Sequence, residues 1–382
     1  MGEWWEGLLT PSGRFVPGSF RRLIQQLENR TVLVIGDVVA DRYLVAHPER
    51  ISREAPVLIL RQEDEYVVPG GAGNTAHNLA ALGARPILVS CIGEDAAGEA
   101  LARSLEDCGV STETLVRISD RPTFTKTRVL AGDRQAVRQQ VVRIDHGVSH
   151  PVDEAAARRL REFFLEALPR CEAVVFSDYG LGVLGDDLIR EGLEKVRRAK
   201  VPSVADSRYR LLAYVGVGCA TPNQVESEQA LGRVFQTEAE VEAGGFALLE
   251  RLGSEALIMT RGALGMDLFR AGERVHIPAV NPVDVFDVTG AGDTVTATLA
   301  LALAAGAEWV TAASLANLAA GLVVRKMGTR TVTRGELLGF LDLWVREAEA
   351  NATAHPEAGN STGSAAPLLG GEPAGKRKEI AG

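Results

Sequence analysis

Cysteine is scarce in this chain: only Cys91, Cys108, Cys171 and Cys219 occur in 382 residues. They are far apart, with no CxxC pair and no Cys/His cluster, which argues against a zinc site or a disulfide framework. Cys91 and Cys219 sit in apolar, strand-like runs and read as buried thiols. Long hydrophobic runs are missing too. The most apolar stretches, 294–307 and 312–324, are too short or too interrupted to span a bilayer. Their small residues suit helices packed tightly in a core. The N-terminus carries Glu3 and Glu6 and lacks the apolar segment of a secretory signal. A cytoplasmic protein with no membrane partner is therefore expected. Positive charge is in deficit: 41 Lys and Arg stand against 50 Asp and Glu, for a net charge of −9. An acidic surface repels a phosphate backbone, so no nucleic-acid partner is expected. Lysine is especially rare, at positions 126, 195, 200, 326, 376 and 378 alone.

What is present fits one large domain, or a domain with a lid. Strand-like runs at 31–36, 86–92, 173–177, 203–205, 219–221 and 256–260 alternate with helical patterns at 74–82, 97–108, 153–167, 186–199, 238–252 and 291–305. Apolar strands alternating with helices predict an α/β fold with a parallel sheet covered on both faces. Two regions break the alternation. Residues 57–68 and 114–144 hold only strand-like runs, which predicts a small β-sheet projecting from the main one, within about 38–68 and 112–145. A plain hairpin at the sheet edge is the alternative. Residues 1–30 read as an arm with a short helix from Phe20 to Leu27. Residues 347–382 are rich in Ala, Gly, Pro, Ser, Thr and Glu and read as a disordered tail, with a basic cluster at Lys376-Arg377-Lys378.

The richest segment is Asp287-Val288-Thr289-Gly290-Ala291-Gly292-Asp293, between a β-like run (Val283, Val285, Phe286) and an apolar helix. Glycines at a helix start let the backbone turn and approach a ligand. The free N–H groups of the first turn, with the helix dipole, favour an anion there. An acidic side chain at the rim of an anion pocket suits a general base that takes a proton from a hydroxyl attacking phosphorus. Asp293 is thus the candidate base of a phosphoryl-transfer site, with Gly290, Ala291 and Gly292 supplying backbone donors. Asp287 could orient the loop or a metal; a turn-capping Asp is the competing reading.

This segment resembles the second signature of the ribokinase-like (pfkB) sugar kinases. Pro69-Gly70-Gly71-Ala72-Gly73-Asn74 and the residues that follow, to Ala84, resemble the first. The likeness runs from about Thr31 to Phe340, within an expected kinase domain at 31–346. Inside the family the chain is most similar to kinases of heptose 7-phosphate, through Gly36–Tyr43, Arg50–Val57 and Ser177-Asp178-Tyr179. The resemblance implies a three-layer α/β/α sandwich with a mainly parallel sheet and a small β-sheet lid. It also implies ATP as co-substrate, Mg²⁺, and a homodimer formed through the lid sheets. Such a lid would keep water from the phosphoryl group.

Further candidates follow. Asn223 and Glu226 resemble the family's Asn-x-x-Glu motif, which organises magnesium and phosphate through water; an N-cap with a capping box has the same spacing. Thr260, Arg261, Gly262 and Gly265 lie at the carboxyl end of a strand, where α/β proteins bind ligands, and by resemblance border the nucleotide. Asn317 is expected near the adenine, or as a cap on a neighbouring turn. Asp37, Asp41, Gly70, Gly71, Asn74 and Asp178 are candidates for the sugar. Lys126 and Arg128, two apart on a strand, share a face and, with Arg208, are candidates for a sugar phosphate; Arg138 and Arg143 are further lid cations. Two departures stand out: Leu181 and Asp206-Ser207-Arg208 occupy places where heptose 7-phosphate kinases carry lysine. The nucleotidyltransferase domain that sometimes follows this region needs an HxGH-type motif, which the sequence does not contain.

The expected function is an ATP-dependent kinase of D-glycero-β-D-manno-heptose 7-phosphate, acting at the anomeric hydroxyl. A kinase of another sugar or sugar phosphate, such as ribose or fructose, and a catalytically silent sugar- or nucleotide-binding regulator are the rivals.

Overall fold

The computed structural model describes residues 17–132, 138–280, 285 and 287–354. Nine strands form one sheet. In sheet order they are β13 (Glu273–Ile277), β12 (Met266–Arg270), β11 (Ala256–Thr260), β10 (Cys219–Ala220), β9 (Ser203–Ser207), β8 (Ala173–Asp178), β1 (Thr31–Gly36), β4 (Arg85–Gly93) and β5 (Leu115–Ile118). From β11 to β5 the neighbours run parallel; β12 and β13 add an antiparallel edge. The central strands are buried on both faces, every residue of β8 among them, which is why they read as continuous apolar runs.

Helices cover both faces. On one side α4 (Glu154–Ala167), α5 (Asp186–Ala199) and α7 (Glu238–Leu252) share a core with Leu33, Ile35, Val89, Phe176 and Met259. The alternate residues face the layer of α2 (Ala72–Ala81), α8 (Ala291–Ala304) and α9 (Trp309–Val323), which touch the sheet and one another. The chain begins its described part with α1 (Pro17–Gln26); α3 (Ala96–Asp107) and α6 (Gln224–Leu231) complete this set. The last helix, α10, runs Arg334–Ala354.

A second sheet of four strands has the order β3 (Leu58–Gly71), β2 (Val38–Ile51), β6 (Thr125–Ala131), β7 (Gln139–His146). It springs directly from the main sheet, since β2 starts two residues after β1 ends. The lid expected at 38–68 and 112–145 is this sheet, with one correction. Leu115–Ile118 is not part of it: β5 pairs parallel with β4 and extends the main sheet.

A second compact unit begins at Asp342; of it, 342–354 are described and helical. Residues 347–354, expected in a disordered tail, are therefore the end of a helix. Glu and Ala alternate over 347–350, and Ala352 and Ala354 follow; their high helix propensity continues a helix already nucleated. The tail beyond 354, the arm before 17, and Val283 and Phe286 of the β-like run lie outside the described residues. Sequence reading also missed the β12–β13 hairpin, whose tight Ala271-Gly272 turn was the available signal.

Candidate active site

A cavity of about 530 Å³ opens beyond the carboxyl ends of β8 and β9, between the start of α8 and the lid strands β2, β6 and β7. The carboxyl edge of a parallel sheet is where such folds bind ligands. Of the expected residues, Asp293, Gly290, Gly292, Asp41, Gly71, Lys126, Arg128, Asp178, Arg208, Asn223, Glu226, Thr260 and Gly262 line it.

Asp293 lies in the first turn of α8 and is 4 % exposed. Its Oδ2 accepts from Asn74 Nδ2 at 2.7 Å; its Oδ1 accepts from Tyr179 Oη at 2.8 Å and Thr75 Oγ1 at 3.3 Å. Burial pushes its carboxyl up to about 6, against the three hydrogen bonds, which favour the charged form. A carboxylate that loses its proton near neutral pH is matched to the work of a general base. Gly290 makes this approach possible. Its φ is +80°, and a Cβ there would lie 2.6 Å from Asn74 Nδ2. Asn74, expected to bind a sugar hydroxyl, is fully buried and holds the Asp293 carboxyl instead. Ala291 does not line the cavity.

Asp37 also departs from expectation. It is 1 % exposed and lies off the cavity; its carboxylate accepts backbone N–H groups of Tyr179, Leu181 and Val183. It shapes the loop after β8, and its lone pairs are engaged there rather than on a ligand. Gly70 is not a wall residue either: its missing Cβ makes room for Asp41 Oδ2, which would lie 2.5 Å away. Asp178, at the end of β8, lines the cavity while accepting from Tyr214 Oη at 2.8 Å and Ser207 Oγ at 3.1 Å.

The lid wall is cationic. Lys126, Arg128 and Arg143 project from β6 and β7, and Arg208 approaches from the loop after β9. Arg128 pairs with buried Asp41 at 3.1 Å, yet its buried Nε has no partner among the described residues. Burial pulls the Lys126 ammonium below the ordinary lysine range; Arg208, Arg128 and Arg143 push the same way, and Asp41 alone opposes them. Arg128 is paired with Asp41 and Arg143 with Asp145 at 2.9 Å, while Lys126 and Arg208 make no ion pair among the described residues, which leaves positive charge for an anion on this side of the cavity. Arg138, the other lid candidate, pairs with Glu63 at 3.0 Å and is not in the wall.

The opposite wall is acidic. Asn223 caps α6 and Glu226 completes a capping box with it, which is the helix-cap reading of this spacing, and both residues also line the cavity. Asp206, which sequence reasoning did not single out, lies beside them. Burial, Asp293 and Glu226 push its carboxyl well above the usual range. Tyr179 was also missed as a site residue, although it sits in a quoted motif.

Several nucleotide-side candidates serve the scaffold. The Arg261 guanidinium is engaged with Glu238 and Asp267 and lies off the cavity. Gly265 turns the chain against the Ile277 carbonyl, and Asn317 Nδ2 donates to the Pro278 carbonyl at 2.7 Å. Asp287 accepts from the backbone N–H groups of Thr289 and Gly328, which is the turn-capping alternative. Among the described residues, no cluster of three or more His, Cys, Asp or Glu is arranged to hold a metal directly. No helix among them is long and apolar enough to cross a membrane.

The pattern of the pfkB family carbohydrate kinases matches residues 29–334. The chain is 41 % identical over 326 residues to the bifunctional protein HldE of Mesorhizobium japonicum, which covers 85 % of this chain and 64 % of that protein. It is 43 % identical over 314 residues to the bifunctional protein HldE of Pseudomonas aeruginosa, covering 82 % and 64 % respectively. It thus spans just under two thirds of the length of these relatives. Among solved structures, Escherichia coli phosphofructokinase-2 in complex with substrates and products superposes with a TM-score of 0.68 at 19 % identity, covering 83 % of this chain and 100 % of that one. Arabidopsis thaliana ribokinase complexed with ribose and ATP gives 0.63 at 21 % identity, covering 82 % and 99 %. At such identities the likeness concerns the fold, a ribokinase-like α/β/α sandwich with a lid.

Proposed function

The chain belongs to the pfkB family of carbohydrate kinases, and we propose that it transfers the γ-phosphoryl group of ATP to the anomeric hydroxyl of D-glycero-β-D-manno-heptose 7-phosphate. The product would be the 1,7-bisphosphate used for ADP-heptose synthesis. The observation that carries this reading is that a buried base and a cluster of four cations face one cavity. The base suits the hydroxyl that reacts; the cations suit a phosphate the acceptor already bears. Asp293 takes the hydroxyl proton as the acceptor oxygen bonds to phosphorus, and the bond from phosphorus to the bridging oxygen of ADP breaks. Backbone N–H groups at the start of α8 face the charge that spreads over the transferring group.

The acidic wall fits a divalent cation. Asp206 and Glu226 are carboxyls whose burial pushes them up, a cost that a nearby cation relieves. Mg²⁺ keeps several waters and takes one or two carboxylates with substrate phosphates, so a three-ligand protein cage is not needed. Asn223 and Glu226 would hold it through water; when bound it would neutralise phosphate charge.

Leu181, where a lysine was expected, does not line the cavity, whereas Arg208 does. A kinase of another sugar phosphate uses the same machinery and is the second reading. ADP release with Mg-ATP and a panel of ribose, fructose, fructose 6-phosphate and heptose 7-phosphate separates them. Fastest turnover of heptose 7-phosphate is expected; a preference for an unphosphorylated sugar would contradict the reading, and no turnover on the whole panel would favour a silent binding protein.

A homodimer through the lid sheets belongs to the same proposal. Leu58, Tyr66, Val142 and Ile144 are exposed there, more apolar surface than a free lid strand needs. Light scattering should give the mass of two chains; the mass of one would contradict it.

A further inference from the structure

Tyr179 stands between the base and the lid. Its hydroxyl donates to Asp293 Oδ1, and Thr75 Oγ1 donates to the same oxygen. Oδ2 accepts only from Asn74 Nδ2 among the described residues. An ionised carboxylate offers about two acceptor positions on each oxygen. Thr75 has one hydroxyl proton, and Asp293 Oδ1 at 3.3 Å is nearer than its other acceptor, the Gly71 carbonyl at 3.5 Å; with the Tyr179 donor Oδ1 is filled, and Oδ2 has one position left. The Tyr179 ring lies 5.4 Å from Lys126 Nζ and 5.6 Å from the Arg208 guanidinium, two of the cavity's cations.

We propose that Tyr179 is a positioning residue for phosphoryl transfer: by saturating Oδ1 it leaves Oδ2 of Asp293 as the atom that takes the acceptor's proton, and its ring ties that geometry to the lid cations. This rests on the reading of Asp293 as the base. The acceptor O–H donates to the open position on Oδ2. Its proton passes there as the new O–P bond forms and the P–O bond to ADP breaks. Tyr179 keeps its own proton throughout, because burial, Asp293 and Asp206 push its phenol well above the ordinary range. The charged groups facing the base are Asp41 from β2, Lys126 and Arg128 from β6, Arg143 from β7, Asp178 from β8, Asp206 and Arg208 from the β9 end, and Glu226 from α6; none of them bonds to Oδ1 among the described residues.

Tyr179→Phe keeps the ring and removes only the donor. It is expected to lower kcat roughly tenfold with the acceptor KM little changed. It should also move the acid limb of the kcat/KM–pH profile up by roughly one pH unit, because a hydrogen bond to the carboxylate favours its ionised form. Thr75→Val should move the same limb the same way by less. Loss of folded protein would lower kcat and leave the limb in place. An unmoved limb in Tyr179→Phe overturns the inference whatever happens to kcat; if that variant does not fold, an unmoved limb in Thr75→Val does so. Asp293→Asn is measured alongside. If it stays active, the base reading itself falls. If it is inactive while the Tyr179→Phe limb is unmoved, only the role of Tyr179 falls.

Discussion

Asp293→Asn should lower kcat by roughly 10²- to 10⁴-fold while leaving the KM values for sugar phosphate and ATP within a few-fold of wild type. The substitution keeps the shape of the side chain in its buried place against α2 but removes the proton acceptor. The same residue should set an acid limit for the wild-type enzyme. Burial raises its carboxyl to about 6, so activity should fall as pH drops through 6 and the base becomes protonated. The stability effect has the opposite sign. A carboxyl whose folded value lies above its unfolded value contributes stability that is present at low pH and lost as pH rises from about 4 to about 6. At pH 7 the ionised Asp293 is therefore a cost, on the order of 1–3 kcal/mol. The asparagine variant should accordingly melt no lower than wild type at pH 7 and lose this part of the pH dependence. Scanning calorimetry at pH 5 and 7, with steady-state kinetics, checks both halves; a variant that is active, or one that is inactive because it is unfolded, would contradict the assignment.

Lys126→Met should raise the KM for a phosphorylated acceptor roughly 10- to 100-fold, the scale of one lost charge-assisted contact. An unphosphorylated sugar should lose far less. Lys126 suits this test because its neighbours Arg208, Arg128 and Arg143 repel it, and it makes no ion pair among the described residues. Removing it relieves the free protein while weakening the complex. Arg128→Gln is expected to add destabilisation to the same kinetic effect, because it strands Asp41, whose side chain is 7 % exposed, without its partner. If Lys126→Met weakens phosphorylated and unphosphorylated sugars equally, the cation cluster does not read the acceptor's phosphate.

Much of the scaffold was legible because its signals are local. The strand at Thr31–Gly36 and the helices at 186–199 and 238–252 stand at the bounds their apolar periods and caps predict. The placement of Asp293 at the cavity was legible because glycines and an acid at a helix start have few other uses. The contacts that define the site were not legible, since they join residues far apart in the chain. Asn74, Thr75 and Tyr179 meet Asp293 only when α2, the β8 end and α8 are brought together. Asp37 looked like a ligand acceptor because a carboxylate at a strand end usually faces the cavity; here the loop after β8 folds back and offers it three N–H groups first. Arg261 is at a ligand-binding edge by sequence, yet Asp267 and Glu238 claim it from neighbouring elements. Asp206 was named only within the segment Asp206-Ser207-Arg208 and not as a site residue, because the expected feature there was a cation, and Arg208 supplied one.

The most direct measurement follows the reaction of Mg-ATP and heptose 7-phosphate by ³¹P NMR, with wild type and with Asp293→Asn. The account predicts a new anomeric phosphate signal growing with ADP in the wild type, the 7-phosphate signal retained, and neither change with the variant. Phosphorylation at another carbon, or a product that forms equally fast with Asp293→Asn, would contradict it.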